Sequence, residues 1–243
     1  MKTKTKLFFV LWFMAIIASI IILPYIFTVQ GEMLTAAGVS LQVLAIISII
    51  QGGVVFGISA FIGLILAEKV GFKLPLLTAI LEKKKIQYLD TLKLSIILGL
   101  IAGILIIVLD IFVFKQIVSI KAPWWQGLLA SFYGGIAEEI LMRLFLVSLI
   151  VFILVKVCKR KEPNNSIVWF AIILISVIFG LGHLPITSTV VSITEIVIIR
   201  AIVLNGVGGI IFGWLYWKRG LESAIIAHFC GDIIIHVIFP LLS

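Results

Sequence analysis

The chain has 243 residues, of which 63% are hydrophobic and 12% charged. Soluble domains run at about 45–50% apolar and about 25% charged, so a soluble globule is excluded, and with it disorder, collagen, a coiled coil and a disulfide-stapled secreted domain. The net charge of +8 would suggest nucleic acid in a soluble protein; here it fits basic cytoplasmic loops, and no nucleic-acid partner is expected.

Apolar runs of about 20 residues mark membrane spans. They fall near 7–27, 41–66, 94–114, 123–155, 166–183, 196–217 and 221–242. The expected fold is an all-α, polytopic transmembrane helix bundle of seven to eight spans. Residues 1–122 supply N-terminal helices and a basic loop, residues 123–243 a motif-bearing core, together one integral membrane domain.

Lys2, Lys4 and Lys6 precede the first span, which is too long for a signal-peptide h-region and lacks a small-residue cleavage site. Lys69, Lys73, Lys83, Lys84, Lys85 and Lys93 lie between the second and third. The segment 72–88 reads equally as a surface-lying stretch on the lipid bilayer or as a solvated linker. Span three carries Ser95, Gly99 and Gly103 at four-residue spacing, as Gly53 and Gly57, and Gly209 and Gly213, do elsewhere. Such ridges let helices approach closely in lipid. Asp110 lies near its end, and Lys115 and Lys121 follow it.

Span four is too long for one straight crossing and must tilt, bend or run beyond the bilayer. Lys156, Lys159, Arg160 and Lys161 follow it. Span five ends at His183, and Pro185 makes the stretch 184–195 a loop or a re-entrant piece. Span six carries Arg200 and Asn205 and is followed by Lys218 and Arg219; span seven carries His228, Asp232 and His236. Fifteen of the 19 basic residues thus fall on one side. This orients the N-terminus to the cytoplasm of a plasma membrane, bacterial by its short build. Cys158 and Cys230 are too far apart in character, one in a basic loop and one mid-span, for a disulfide or thiolate metal site.

A charge inside the bilayer costs about 2.5–3.5 kcal/mol on insertion scales, so Glu138 and Glu139, adjacent within span four, are the strongest signal in the chain. Glu139 and Arg143 are four residues apart and share a helix face, so Arg143 can neutralise Glu139. Glu138 lies about 100° around the helix and should face a cavity, where burial favours a useful base. His228 and Asp232 share a face in the same way, and His236 continues it toward an interfacial position. The set Glu138, His183, His228 and Asp232 allows two mechanisms. Glu138 and His183 polarise water while His228 and a neighbour stabilise an oxyanion, or the four hold a divalent metal such as zinc that acidifies its bound water. The spacing does not choose between a metal-free glutamate mechanism and a metal. H-E-x-x-H, G-x-S-x-G and phosphate-loop signatures are absent from the sequence.

Three motifs carry a family resemblance: Glu138-Glu139-Ile-Leu-Met-Arg143, Phe179-Gly-Leu-Gly-His183 and His228-Phe-Cys-Gly-Asp232. In order and interval they resemble E-E-x-x-x-R, F-x-x-x-H and H-x-x-x-[ND] of the CAAX-protease and bacteriocin-processing (CPBP, or Abi) intramembrane endopeptidases, over roughly residues 123–234. The segment 208–220, rich in Gly and aromatics, also looks like the family. The resemblance implies a membrane-embedded peptidase acting on a peptide or membrane-protein substrate. By the same resemblance Glu138 and His183 activate water, and His228 with Asp232 stabilises the tetrahedral intermediate. Glu139 and Arg143 support the site, as does Asn205 by its place within span six. Many members have Asn where this chain has Asp232. An ionised Asp only accepts hydrogen bonds, so Asp232 helps an oxyanion only when protonated, or by orienting His228 or a metal. The alternative is a non-catalytic immunity or scaffold protein of the same fold, with Glu138 and the histidines as an ion cluster. Neither oligomeric state nor substrate identity is readable.

Overall fold

The computed structural model describes residues 2–118 and 122–242; Lys121 lies outside the described residues. Among these residues there are nine helices and no strand: α1 Thr3–Ile21, α2 Leu23–Ala36, α3 Leu41–Val70, α4 Pro75–Glu82, α5 Leu89–Phe112, α6 Trp124–Val157, α7 Asn165–Thr187, α8 Glu195–Arg219 and α9 Leu221–Leu242. Seven are long and apolar enough to cross a membrane, all but α2 and α4. The expected all-α polytopic bundle is the observed fold, with seven spans.

Small residues set the helix crossings, because without a side chain the backbones can touch and gain dispersion contacts that lipid does not supply. A Cβ on Gly99 would fall into the backbone of Ala227, and one on Gly103 into that of Gly231, so α5 and α9 meet backbone to backbone. Gly180 abuts Ala201 and Ile202, Gly209 abuts Ser176, and Gly213 abuts Ile172; these weld α7 to α8. Gly63 of α3 meets Leu144 of α6, and Gly57 meets Trp12 of α1, whereas Gly53 faces open space. The expected glycine ridges on α5 and α8 are therefore contact surfaces, and the pair on α3 is one by half.

The buried serines Ser19, Ser131 and Ser176 donate to the carbonyl four residues back in their own helices. Their hydroxyls are satisfied without a partner helix, and Ser176 still lets Gly209 approach. The core is apolar and continuous through Leu11, Ala60, Ile140, Leu144, Val151 and Leu215. Large side chains such as Ile97, Phe112 and Leu242 point outward, as a lipid-facing surface requires.

Three sequence expectations are refined. The first span breaks at Ile22, after which Pro24 opens α2 as a separate helix. The stretch 184–195 adds a single turn, Leu184–Thr187, before a connection to α8, so no eighth crossing arises. The 34 residues of α6 relax over Gly134–Glu138 and Ile140–Val147 into wider π turns. At 1.5 Å per residue this helix is about 50 Å long against a hydrocarbon core of about 30 Å.

The basic ends of the helices gather at one end of the bundle. Lys4 pairs with Glu68 and Lys84 with Glu82, which also accepts from Thr3. The segment 72–88 is docked there: α4 receives the Glu222 carboxylate of α9 at the Leu77 N–H, 2.8 Å away, and Tyr88 Oη lies 3.0 Å from Ser223 Oγ.

Candidate functional site

The site is built on the π turns of α6. A π turn displaces the register locally and frees backbone geometry, which is why such turns collect at functional sites. Glu138 and Glu139 sit where the two π stretches meet, and as successive helical residues they point in different directions. Glu139 is fully buried and lies 2.8 Å from Arg143 Nη1, itself 1% exposed. This is a close ion contact whose N–H is not aligned for a hydrogen bond, and Glu139 Oε2 has no hydrogen-bond partner among the described residues. The guanidinium is otherwise clamped between rings, 5.0 Å from the centroid of Phe179 and 5.6 Å from that of Phe212. Flat, weakly hydrated Arg suits such a slot better than Lys would.

Glu138 faces the cleft. It shares the walls of a cavity of about 170 Å³ with Tyr133, Phe179, Gly182 and His183, among others. The expectation that Glu138 faces a cavity and Glu139 faces Arg143 is met by helix spacing alone.

The tautomers of the two histidines follow from their partners. His228 Nδ1 lies 2.7 Å from Glu139 Oε1. A carboxylate held by Arg143 can only accept, so His228 Nδ1 carries the proton and Nε2 is the atom presented to the site. His183 Nδ1 lies 2.8 Å from the Phe179 carbonyl, again an acceptor, which leaves its Nε2 free. Around His228 Nε2 stand Asp232 Oδ2 at 3.6 Å and Glu138 Oε2 at 3.8 Å. The Phe212 ring stacks on His228 at 4.7 Å and 22°, fixing the imidazole plane.

Straight spans would put His183 and His228 at different depths. The structure brings them to one aromatic residue: Phe179 lies edge-on to His183 at 4.7 Å and to His228 at 5.9 Å. Close α7–α8 crossing at Gly180 and Gly209, and the helix break after Gly182, make this approach possible. Glu138, Glu139, Arg143, His228 and Asp232 thus form one cluster, with His183 on the Glu138 cleft. Asn205 is not hydrogen-bonded to that cluster; its amide donates to the Ala201 carbonyl one turn back, at 2.9 Å. Arg200 has a bidentate partner in Asp110, with both contacts at 2.7 Å, linking α8 to α5. His236 is half-buried, its ring 5.9 Å from that of Tyr25 on α2.

Sequence reasoning missed Gly134. A Cβ there would run into Asp232 Oδ2 and lie 3.1 Å from His228 Nε2, so only glycine leaves room for the cluster. The Gly134-Gly135 pair directly before Glu138 is the signal that points to it. Phe212 stands out in the sequence only as part of the aromatic segment 208–220.

Among the described residues, no group of three His, Cys, Asp or Glu side chains is placed to hold a metal ion. The set Glu138, His183, His228 and Asp232 is not placed as one ligand group, although His228 keeps its Nε2 free.

Fold and cluster together define a polytopic membrane protein that encloses carboxylates and imidazoles between its spans. Residues 119–234 match the family described as Type II CAAX prenyl endopeptidase Rce1-like, so this segment of the chain is similar to CAAX-protease-type intramembrane peptidases. The matched segment holds all three motifs and leaves out α1 to α5. No curated protein and no solved structure matches the chain.

Proposed function

We propose that the protein hydrolyses a peptide bond of a peptide or membrane-protein substrate, using water activated in the cleft by Glu138 and His183. The observation that carries this reading is the shared cleft: the carboxylate and an imidazole with a free Nε2 line one cavity. Water held between them gives one proton to Glu138 and a hydrogen bond to His183 Nε2. The resulting hydroxide attacks the scissile carbonyl carbon, and the carbonyl electrons move to oxygen. His228, oriented by Glu139 and Phe212, meets that oxyanion through Nε2 when the ring is doubly protonated. Asp232 contributes as a neutral acid or by orienting the ring. Glu138 then passes its proton to the leaving amine as the tetrahedral intermediate collapses. Glu139 and Arg143 act through His228 and touch no substrate.

The excess of basic residues at one end supports a cytoplasmic N-terminus. The working division is an N-terminal scaffold of residues 1–122 carrying a site built within residues 123–243.

The test is peptide cleavage by purified protein in lipid. Glu138→Ala and His183→Ala should each lower the rate by about 10²-fold or more, the range of general acid–base catalysis. Equal cleavage by both variants and the parent sinks the proposal. A non-catalytic immunity or scaffold role predicts instead that Glu138→Ala acts only by lowering protein abundance.

A further inference from the structure

A second cavity, of about 420 Å³, opens at the basic end of the bundle and shares no wall residue with the Glu138 cleft. Three segments converge on it: the turn before α4, the loop into α5 and the end of α8. Its walls present Lys73, Lys218, Arg219, Trp217, Tyr88 and Gln87.

It is distinguished by three cations, Lys73, Lys218 and Arg219, lining one concave wall. Two other lysines at this end are paired, Lys4 with Glu68 and Lys84 with Glu82. Lys84 and Thr3 together hold the Glu82 carboxylate below its usual range, so it stays ionised and engaged. The nearby Glu222 turns its carboxylate to the N–H of Leu77. Among the described residues, Lys73, Lys218 and Arg219 have no carboxylate within ion-pair distance. All three are exposed, yet they face one concave space.

The wall is shaped for a ligand at a lipid interface. Lys218 Nζ sits 3.4 Å from the Trp217 ring centroid, so an aromatic backs one of the cations. Burial pushes the Tyr88 phenol up to about 12, which keeps it a neutral hydroxyl beside Ser223. Gln87 and Thr91 add polar groups, and the apolar Ile86 and Leu89 are exposed alongside. Gly220, at φ +103°, lets α8 turn into α9 directly against Pro75 and the Lys73 carbonyl, which holds the walls in place. The volume falls within the range of about 300–1,000 Å³ usual for small-molecule sites.

We propose that this cavity binds the phosphate-bearing headgroup of an anionic phospholipid, with Lys73, Lys218 and Arg219 around the phosphate. Basic pockets between spans on the cytoplasmic side are suited to such headgroups. The reading is independent of the chemistry at Glu138.

Native mass spectrometry on the full chain, purified and exchanged into mixed phosphatidylglycerol and phosphatidylcholine, tests it. Retained phosphatidylglycerol should exceed retained phosphatidylcholine. Each single substitution, Lys73→Gln, Lys218→Gln or Arg219→Gln, should weaken retention by about fivefold. The triple substitution should abolish the preference. The control is Lys83→Gln, Lys84→Gln and Lys85→Gln together, which removes equal charge from the same end outside the cavity and should leave the preference intact. Equal losses in the two triple variants would show generic surface attraction and overturn the proposal, as would no loss in either. Displacement of the lipid by millimolar inorganic phosphate would make the site one for free phosphate and overturn the lipid assignment. If the wall triple does not fold, the exposed single variant Arg219→Gln replaces it, and retention equal to the parent's overturns the proposal.

Discussion

Gly134→Ala separates the geometry of the cluster from the stability of the fold. The added methyl would run into Asp232 Oδ2 and stand 3.1 Å from His228 Nε2. Restoring a normal separation of about 3.5 Å needs the carboxylate to retreat by roughly 1 Å. That retreat is cheap in stability, because the obstructed atom is the end of a side chain rather than backbone. Overpacking costs about 1–3 kcal/mol, and Ala over Gly in a helix returns up to about 1 kcal/mol. The cost in rate is larger, since a misplacement of about 1 Å lowers turnover by about 10²-fold, or about 2.7 kcal/mol of barrier. The assay is peptide cleavage in lipid beside a thermal unfolding curve on the same sample. Gly206→Ala is the control, because nothing lies within 4 Å of a Cβ at that position; it should leave cleavage unchanged and raise stability by up to about 1 kcal/mol. Cleavage by Gly134→Ala at the parent rate would refute the claim that this glycine makes room for a working site.

Three further outcomes are expected. Glu139→Gln should destabilise the fold by about 3–5 kcal/mol, because it leaves the buried Arg143 charge unpaired, whereas Glu138→Gln should leave unfolding nearly unchanged; chemical denaturation in detergent compares them. Gly99→Ala should lower the yield of folded protein sharply, since its methyl meets the Ala227 backbone, which cannot step aside; size-exclusion recovery reads this directly. Asp110→Asn should cost about 1–3 kcal/mol in thermal stability by breaking the bidentate pair with Arg200, and should leave the cleavage rate of the folded fraction intact.

What could be read from the sequence is what helical spacing decides. Glu139 and Arg143 share a face because they are four residues apart, and the structure pairs them. Glu138 had to point elsewhere, and it lines a cavity. Apolar length alone left seven or eight spans open, and the structure has seven. What could not be read is relative depth, because it depends on how tilted helices cross. The crossings are set by contacts such as Gly180 with Ala201 and Gly99 with Ala227, which join positions far apart in the chain. Treated as straight rods, α7 and α9 would hold their histidines at different levels. Asp110 and Arg200 were invisible as a pair for the same reason, with 90 residues between them. Glu222 reads as an ordinary charge at a helix start, yet it is 5% exposed and anchors α4.

The two adjacent glutamates show why a site of this kind needs both. A fully buried carboxylate without a partner would be costly as an anion. Glu139 meets that cost with Arg143, and the pair in turn holds His228 by one nitrogen. This places a polar, oriented imidazole within 3.8 Å of Glu138 without giving Glu138 a cation of its own. Glu138 lines the cleft while its neighbour holds the buried charge of Arg143. Exchanging their roles is not open to the chain. One residue further along the helix turns a side chain by about 100°, so the order of free glutamate first and paired glutamate second is dictated by Arg143 lying four residues after the second.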